Sequence, residues 1–149
     1  MISWTDALRE WEWIGMLLAR LSVGLLFSLS GARKLFVTNH REQMLATIRE
    51  AGIPAPALTA VAVSLVEFSC GGLLVIGLLT PLACVMLTGV MLGALSTTVL
   101  PRIKAENLVD WLGAFLYLPE VLYVVILAWL FLSGPGWVSV DHLVRFSAE

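Results

Sequence analysis

Three ionisable residues stand inside long apolar stretches of this chain: Arg20, Glu67 and Glu120. At ~1.5 Å per helical residue, Arg20 lies about seven residues into its stretch, Glu67 about ten and Glu120 about eleven. That places all three in the middle third of a bilayer. Facing lipid there, each would cost roughly 2.5–3.5 kcal/mol, so each must turn inward. One arginine and two glutamates at matched depth predict a shared network. Ser64, Glu67, Cys70 and Gly71 fall on one helical face. Tyr117 and Tyr123, the only two tyrosines, lie one turn either side of Glu120, deeper than an aromatic belt. Their hydroxyls could bond its carboxylate. The predicted buried polar network or ligand pocket is therefore Arg20, Glu67, Glu120, Tyr117, Tyr123, Ser64 and Cys70. One guanidinium cannot neutralise two carboxylates, and low dielectric disfavours a lone anion, so one glutamate is expected to keep or share a proton. Such an acid could move protons with a redox or transport step. A clamp that only fixes helix packing makes the same demand for inward charges, and both readings stay open at this point.

The elements that must hold these residues follow from composition. The chain has 149 residues, of which 59% are hydrophobic and only 13% charged. A soluble domain carries roughly 25% charged residues. Mean hydropathy is +0.92, more apolar surface than a soluble fold of this size can hide. The net charge of −2 includes no basic block, which excludes nucleic acid as a partner. Acidic residues among Met1–Glu12 do not make the positive region of a cleavable leader. Four apolar stretches stand out, at about 13–36, 57–79, 81–100 and 109–133, each near the ~20 residues that cross a hydrocarbon core. They are too long and too uniformly apolar for barrel strands, so they are expected to be helices. The fold class is an all-α integral membrane four-helix bundle, in one domain over 1–149.

Thr80-Pro81 is a tight turn that makes helices 2 and 3 an antiparallel hairpin. Between helices 1 and 2, Asn39 with Glu42 reads as a capping box, Met44, Leu45 and Ile48 as an apolar stripe, and Gly52 with Pro54 as a stop. This predicts a short amphipathic helix on the membrane surface. Gly134-Pro135-Gly136 ends helix 4. Pro119 should kink helix 4 and free a carbonyl near Phe115. Gly24, Ser28 and Gly31 on helix 1, and Gly89 and Gly93 on helix 3, are spaced for close helix approach, within the chain or in a homo-oligomer. Arg33, Lys34, Arg41, Arg49, Arg102 and Lys104 share one side of the membrane, against Arg9 and Arg145 on the other. The positive-inside rule puts the six in the cytoplasm and both termini outside. Trp11, Trp13 and Trp137 fit a belt on the terminal side and Trp111 on the other, while Trp129 lies about five turns further along helix 4.

Several chemistries find no residues here. His40 and His142 fall on opposite sides, outside the helices, which excludes a buried bis-histidine haem. There is no dithiol motif, nucleotide-binding glycine pattern or metal-ligand cluster. Cys70 and Cys84 are about 10 Å apart in depth, too far for a disulfide. No intrinsic cofactor and no metal are expected, and no catalytic residue is assigned.

The ordered blocks Arg20-Leu-Ser-Val-Gly with Leu-Phe27-Ser-Leu-Ser30-Gly31-Ala-Arg-Lys34-Leu35, then Gly52-Ile-Pro54-Ala-Pro56, then Glu67 with Gly71-Gly72-Leu-Leu-Val-Ile-Gly77-Leu-Leu-Thr80-Pro81, and finally Glu120 with Gly134-Pro135-Gly136 and Ser139-Val-Asp141, resemble the DoxX family of small four-helix membrane proteins. The resemblance spans about Arg20 to Asp141. It implies the cytoplasmic (inner) membrane of a bacterium or archaeon and an association with membrane oxidoreductase complexes. Related DoxD-type chains belong to thiosulfate:quinone oxidoreductase, which suggests a quinone-facing or redox-accessory role and leaves the substrate unnamed.

Three functions compete. The first is a non-catalytic accessory or anchor subunit of a redox complex, with a quinone or lipid pocket and a protein partner that supplies electrons. The second is a proton-coupled carrier for a small solute, acting as an oligomer. The third is a structural or cargo-sorting scaffold whose charges only specify packing.

Overall fold

The computed structural model describes residues 11–146, with side chains to residue 143. The charges of residues 1–10, Arg9 among them, and the side chain of Arg145 lie outside the described residues. Among the described residues every regular element is helical. The order is α1 (Glu12–Phe36), α2 (Thr38–Glu50), α3 (Pro56–Ile76), α4 (Thr80–Ala94), α5 (Leu108–Leu116), α6 (Pro119–Ser133) and α7 (Val140–Phe146). A π-helical turn, Leu95–Val99, and a 3-10 turn, Leu100–Arg102, extend α4. Three stretches are long and apolar enough to cross a membrane: α1, α3 and Thr80–Arg102. The pair α5–α6 makes a fourth if the two are taken as one span bent by 61°. This is the expected all-α membrane bundle.

The bundle is built from two helix pairs. Buried residues on α1 recur as Arg20, Val23, Gly24, Phe27 and Gly31, a helical stripe. On α3 they recur as Ala60, Ser64, Glu67, Cys70, Gly71 and Leu74. The stripes meet backbone to backbone, since a Cβ on Gly31 would lie 2.4 Å from the Phe68 nitrogen and one on Gly71 2.5 Å from the Ser28 nitrogen. Lipid offers no hydrophobic drive between helices, so this close dispersion contact holds α1 to α3. Leu87 and Met91 of α4 join Leu127 and Leu130 of α6 in the apolar core, with Phe27, Leu74 and both free cysteines. Outward residues such as Leu18, Leu25, Leu65, Leu82, Val125 and Leu132 are at least half exposed and form the lipid-facing surface. Within the chain the α4 glycines seat no neighbouring helix: a Cβ on Gly89 or Gly93 meets nothing within 4 Å.

Three local expectations need correction. The α2 capping box is absent: α1 runs to Phe36, only Val37 is extended, and Asn39 already has helical backbone. The amphipathic helix itself is present, with Ile48 buried against the bundle. Pro119 breaks helix 4 outright, because Leu118 is extended and Pro119 starts a new helix where its missing N–H is no loss. The Phe115 carbonyl is not left free, since the Leu118 N–H donates to it at 3.1 Å. Helix 2 stops at Ile76 rather than 79, closed by Gly77 at φ 70°. The Leu78 N–H donates to the Leu73 carbonyl (2.9 Å) and the Gly77 N–H to that of Leu74 (3.2 Å), the paired bonds of a Schellman end.

Candidate functional site

The structure divides the expected network between two places. Arg20 lies at the end of the bundle where α3 turns into α4 and α6 ends. It is 3% exposed, and its guanidinium donates to the carbonyls of Pro135 and Val138, on the segment after α6. Gly77 presses against it, so close that a Cβ there would sit 2.5 Å from Arg20 Nη1 and 2.6 Å from the Ser139 Cβ. The Asp141 carboxylate accepts from the N–H groups of Leu79 (2.8 Å) and Thr80 (2.9 Å), while its own N–H donates to the Gly77 carbonyl (3.0 Å). A carboxylate on the first amides of α4 meets the positive end of that helix. Arg20 therefore ties the segment after α6 to α1, and Asp141 ties it to the α3–α4 turn. Arg20 does not meet Glu67, which is about ten residues, or about 15 Å, from Gly77 along α3.

Glu67 finds its counter-ion elsewhere. Lys34 Nζ donates to Glu67 Oε1 at 2.7 Å and to Oε2 at 2.6 Å, and Ser30 Oγ donates to Oε2 at 3.0 Å. The Glu67 side chain is 3% exposed and that of Lys34 26%. Sequence reasoning counted Lys34 among the cations of the membrane surface and so missed the partner. The signal was in the stripe itself: Phe27, Ser30 or Gly31, and Lys34 recur at helical spacing on the face that α1 turns to α3. Lys34 takes the place expected for Arg20, so one cation still stands beside the two carboxylates Glu67 and Glu120, and the count behind the proton-sharing expectation is unchanged.

Behind the ion pair lies a cavity of about 800 Å³ between α1, α3, α4, the π-helical turn and the start of α6. Its wall is mostly apolar, with Phe27, Val66, Met86 and Met91 among the residues that line it. Lys34, Glu67, Glu120 and Tyr123 bring polar atoms to the same space. Glu120 Oε2 is buried without a hydrogen-bond partner among the described residues. Leaving a buried acceptor so costs about 1–3 kcal/mol, and a donor bound in the cavity would recover it. Tyr123 packs edge-on against Phe27, with centroids 5.7 Å apart.

The other expected site residues are placed differently. Tyr117 is 93% exposed and faces away from the site. The break at Leu118 ends the helical register that would have put it beside Glu120. Ser64 is buried, but its hydroxyl donates to the Ala60 carbonyl at 2.6 Å, with the Met44 sulfur 3.6 Å away. Cys70 belongs to the apolar core. Of the seven residues expected together, Glu67, Glu120 and Tyr123 share the cavity, and Lys34 and Ser30 join them. Among the described residues no group of His, Cys, Asp and Glu could hold a metal ion.

The arrangement can present one ammonium donor and one open carboxylate acceptor to an apolar molecule. That is the design of a small-molecule site: mostly apolar walls with a few convergent polar groups. The DoxX family model matches residues 15–100, which covers Arg20, Lys34, Glu67, α1 from residue 15 on and all of α2 to α4. No curated protein and no solved structure matches the chain.

Proposed function

Because this chain belongs to the DoxX family, here as a multi-pass membrane protein, we propose that it is an integral membrane accessory or anchor subunit of a redox complex, holding a quinone or lipid-like molecule in its inner cavity. The observation that carries this is the cavity of about 800 Å³ with the Lys34–Glu67 pair on one wall and the unpartnered Glu120 oxygen on another. That volume suits a ring with part of a tail. Lys34 would donate to a ring oxygen, and Glu120 would accept from a hydroxyl. A quinone carries electrons and protons together, whereas this chain's residues bind, orient and exclude water. The partner would supply the electrons. The basic side of the bundle would face the cytoplasm of a bacterial or archaeal inner membrane.

The broken helix supports a second reading, a proton-coupled carrier. Glu120 sits in the first turn of α6, at the 61° bend. Interrupted helices that line a cavity are where membrane carriers bind solutes.

Mass spectrometry of the protein extracted from its own membrane in mild detergent separates these. A stoichiometric redox partner or bound quinone is expected, with less lipophile retained by Glu120→Leu and by Lys34→Met. A chain that purifies alone and empty overturns the subunit proposal. Uptake into proteoliposomes that is lost in Glu120→Gln would then favour the carrier.

A further inference from the structure

A second hollow lies on the outside of the bundle, in the elbow between α1 and α2. It measures about 810 Å³ and is open on one side. Val37 makes the elbow: it is extended, at φ −109° and ψ 114°, between the last turn of α1 and the first turn of α2. The hollow is lined at one end by Arg33, Lys34, His40 and Gln43, and deeper in by Leu29, Leu26 and Ser22. No carboxylate lines it, and no ion pair joins Arg33 or His40 to a described residue. Lys34 is drawn back to Glu67, so Arg33 is the cation left to face an occupant.

The length of the hollow identifies that occupant. Arg33 and Ser22 are about eleven residues apart on α1, or ~16 Å. One leaflet of a ~30 Å hydrocarbon core is about 15 Å deep. A groove that begins with cations at the membrane surface and runs apolar for one leaflet matches a headgroup with an acyl chain below it. We propose that the elbow binds one anionic glycerophospholipid, its phosphate on Arg33, His40 and Gln43 and an acyl chain along Leu29, Leu26 and Ser22. Charge complementarity favours an anionic lipid, because a zwitterionic one brings its own cation next to Arg33. The hollow adjoins the inner cavity, with Leu26, Ser30, Lys34 and Met44 lining both spaces, but Arg33, His40, Gln43, Leu29 and Ser22 belong to the hollow alone.

The test uses the full chain in nanodiscs of equal phosphatidylglycerol and phosphatidylcholine, released into mild detergent for native mass spectrometry. One phosphatidylglycerol is expected to be retained in excess over phosphatidylcholine. Arg33→Gln with His40→Gln should lower that retention about fivefold or more at an unchanged melting temperature. Arg41→Gln with Arg49→Gln, basic residues of α2 outside the hollow, should leave it intact. Ser22→Trp, which fills the apolar end, should lower it without touching charge. Millimolar inorganic phosphate should not displace the lipid. Equal retention of both lipids by the wild type overturns the proposal. So does equal loss in the Arg41/Arg49 variant, which would show diffuse surface charge, or displacement by phosphate, which would show a site blind to the acyl chain.

Discussion

The bundle buries ionisable residues at both ends, and the two groups are built on opposite plans. Around Arg20, both terminal guanidinium nitrogens meet fixed backbone carbonyls, Asp141 meets fixed backbone amides, and Gly77 leaves no room for a methyl group against Arg20 and Ser139; the buried atoms left without a partner there among the described residues, Arg20 Nε and Thr80 Oγ1, border no part of the inner cavity. Around Glu67, the carboxylate meets a partly exposed lysine side chain that borders open space, and Glu120 opposite keeps an oxygen with no hydrogen-bond partner among the described residues. Polar groups in a membrane are costly wherever they lie. Where they are closed on backbone they hold elements together. Where they border an apolar void they have something left to offer a ligand.

Removing the closed cluster should therefore cost the most stability. Arg20→Ala strands the carbonyls of Pro135 and Val138 in a buried place, and should lower unfolding stability by about 3 kcal/mol. Arg20→Lys should recover only part of this, because an ammonium lacks the planar fork that reaches two carbonyls. Thermal unfolding in detergent, followed by circular dichroism, checks both. An Arg20→Ala protein as stable as the wild type would erase the contrast between the two ends.

Next comes the seam that both clusters share. Gly31→Ala places a Cβ 2.4 Å from the Phe68 nitrogen, so α1 must move away from α3. Overpacking of this kind costs typically 1–3 kcal/mol, and here it also pulls Lys34 from Glu67. Gly89→Ala, where a Cβ meets nothing within 4 Å, should be silent in the same assay. The pair distinguishes glycines that seat helices from glycines that merely border a cavity.

The ion pair itself should show coupling. Lys34→Met leaves Glu67 buried beside Ser30 alone and should destabilise the bundle, while Lys34→Met with Glu67→Gln should recover much of the loss. An interaction energy of about 1–2 kcal/mol in that double-mutant cycle is expected. Additive effects would mean that the pair contributes nothing by being a pair.

These outcomes also explain what the sequence could and could not convey. The apolar stretches, the surface helix and the inward turn of Glu67 follow from hydropathy and from the cost of charge in lipid, both local in the chain. Partner choice does not. Depth arithmetic put Arg20 level with Glu67, yet the chain after α6 folds back to offer Arg20 carbonyls at the bundle end, and carbonyls carry no sequence signature. Lys34 adjoins the surface and so counts with its cations, although periodicity puts it on the inner face of α1. Tyr117 was misplaced for a related reason: a proline in mid-helix was read as a kink that keeps register, whereas Leu118 becomes extended and the register is lost.

Glu120 gives the smallest expected change in stability and the sharpest contrast. Its buried Oε2 has no partner, so the protein alone gains nothing from that oxygen. Replacing an unsatisfied buried acceptor by an apolar group of similar size is commonly neutral or stabilising. Glu120→Leu should accordingly unfold at the same temperature as the wild type or slightly above it, while losing whatever lipophile the cavity retains. Arg20→Ala should do the reverse, losing stability but keeping the ligand in the fraction that stays folded. Sites that give up stability for binding behave in this way. A Glu120→Leu protein that is both less stable and equally loaded would make Glu120 a packing residue, and the two ends of the bundle would then differ in shape and not in purpose.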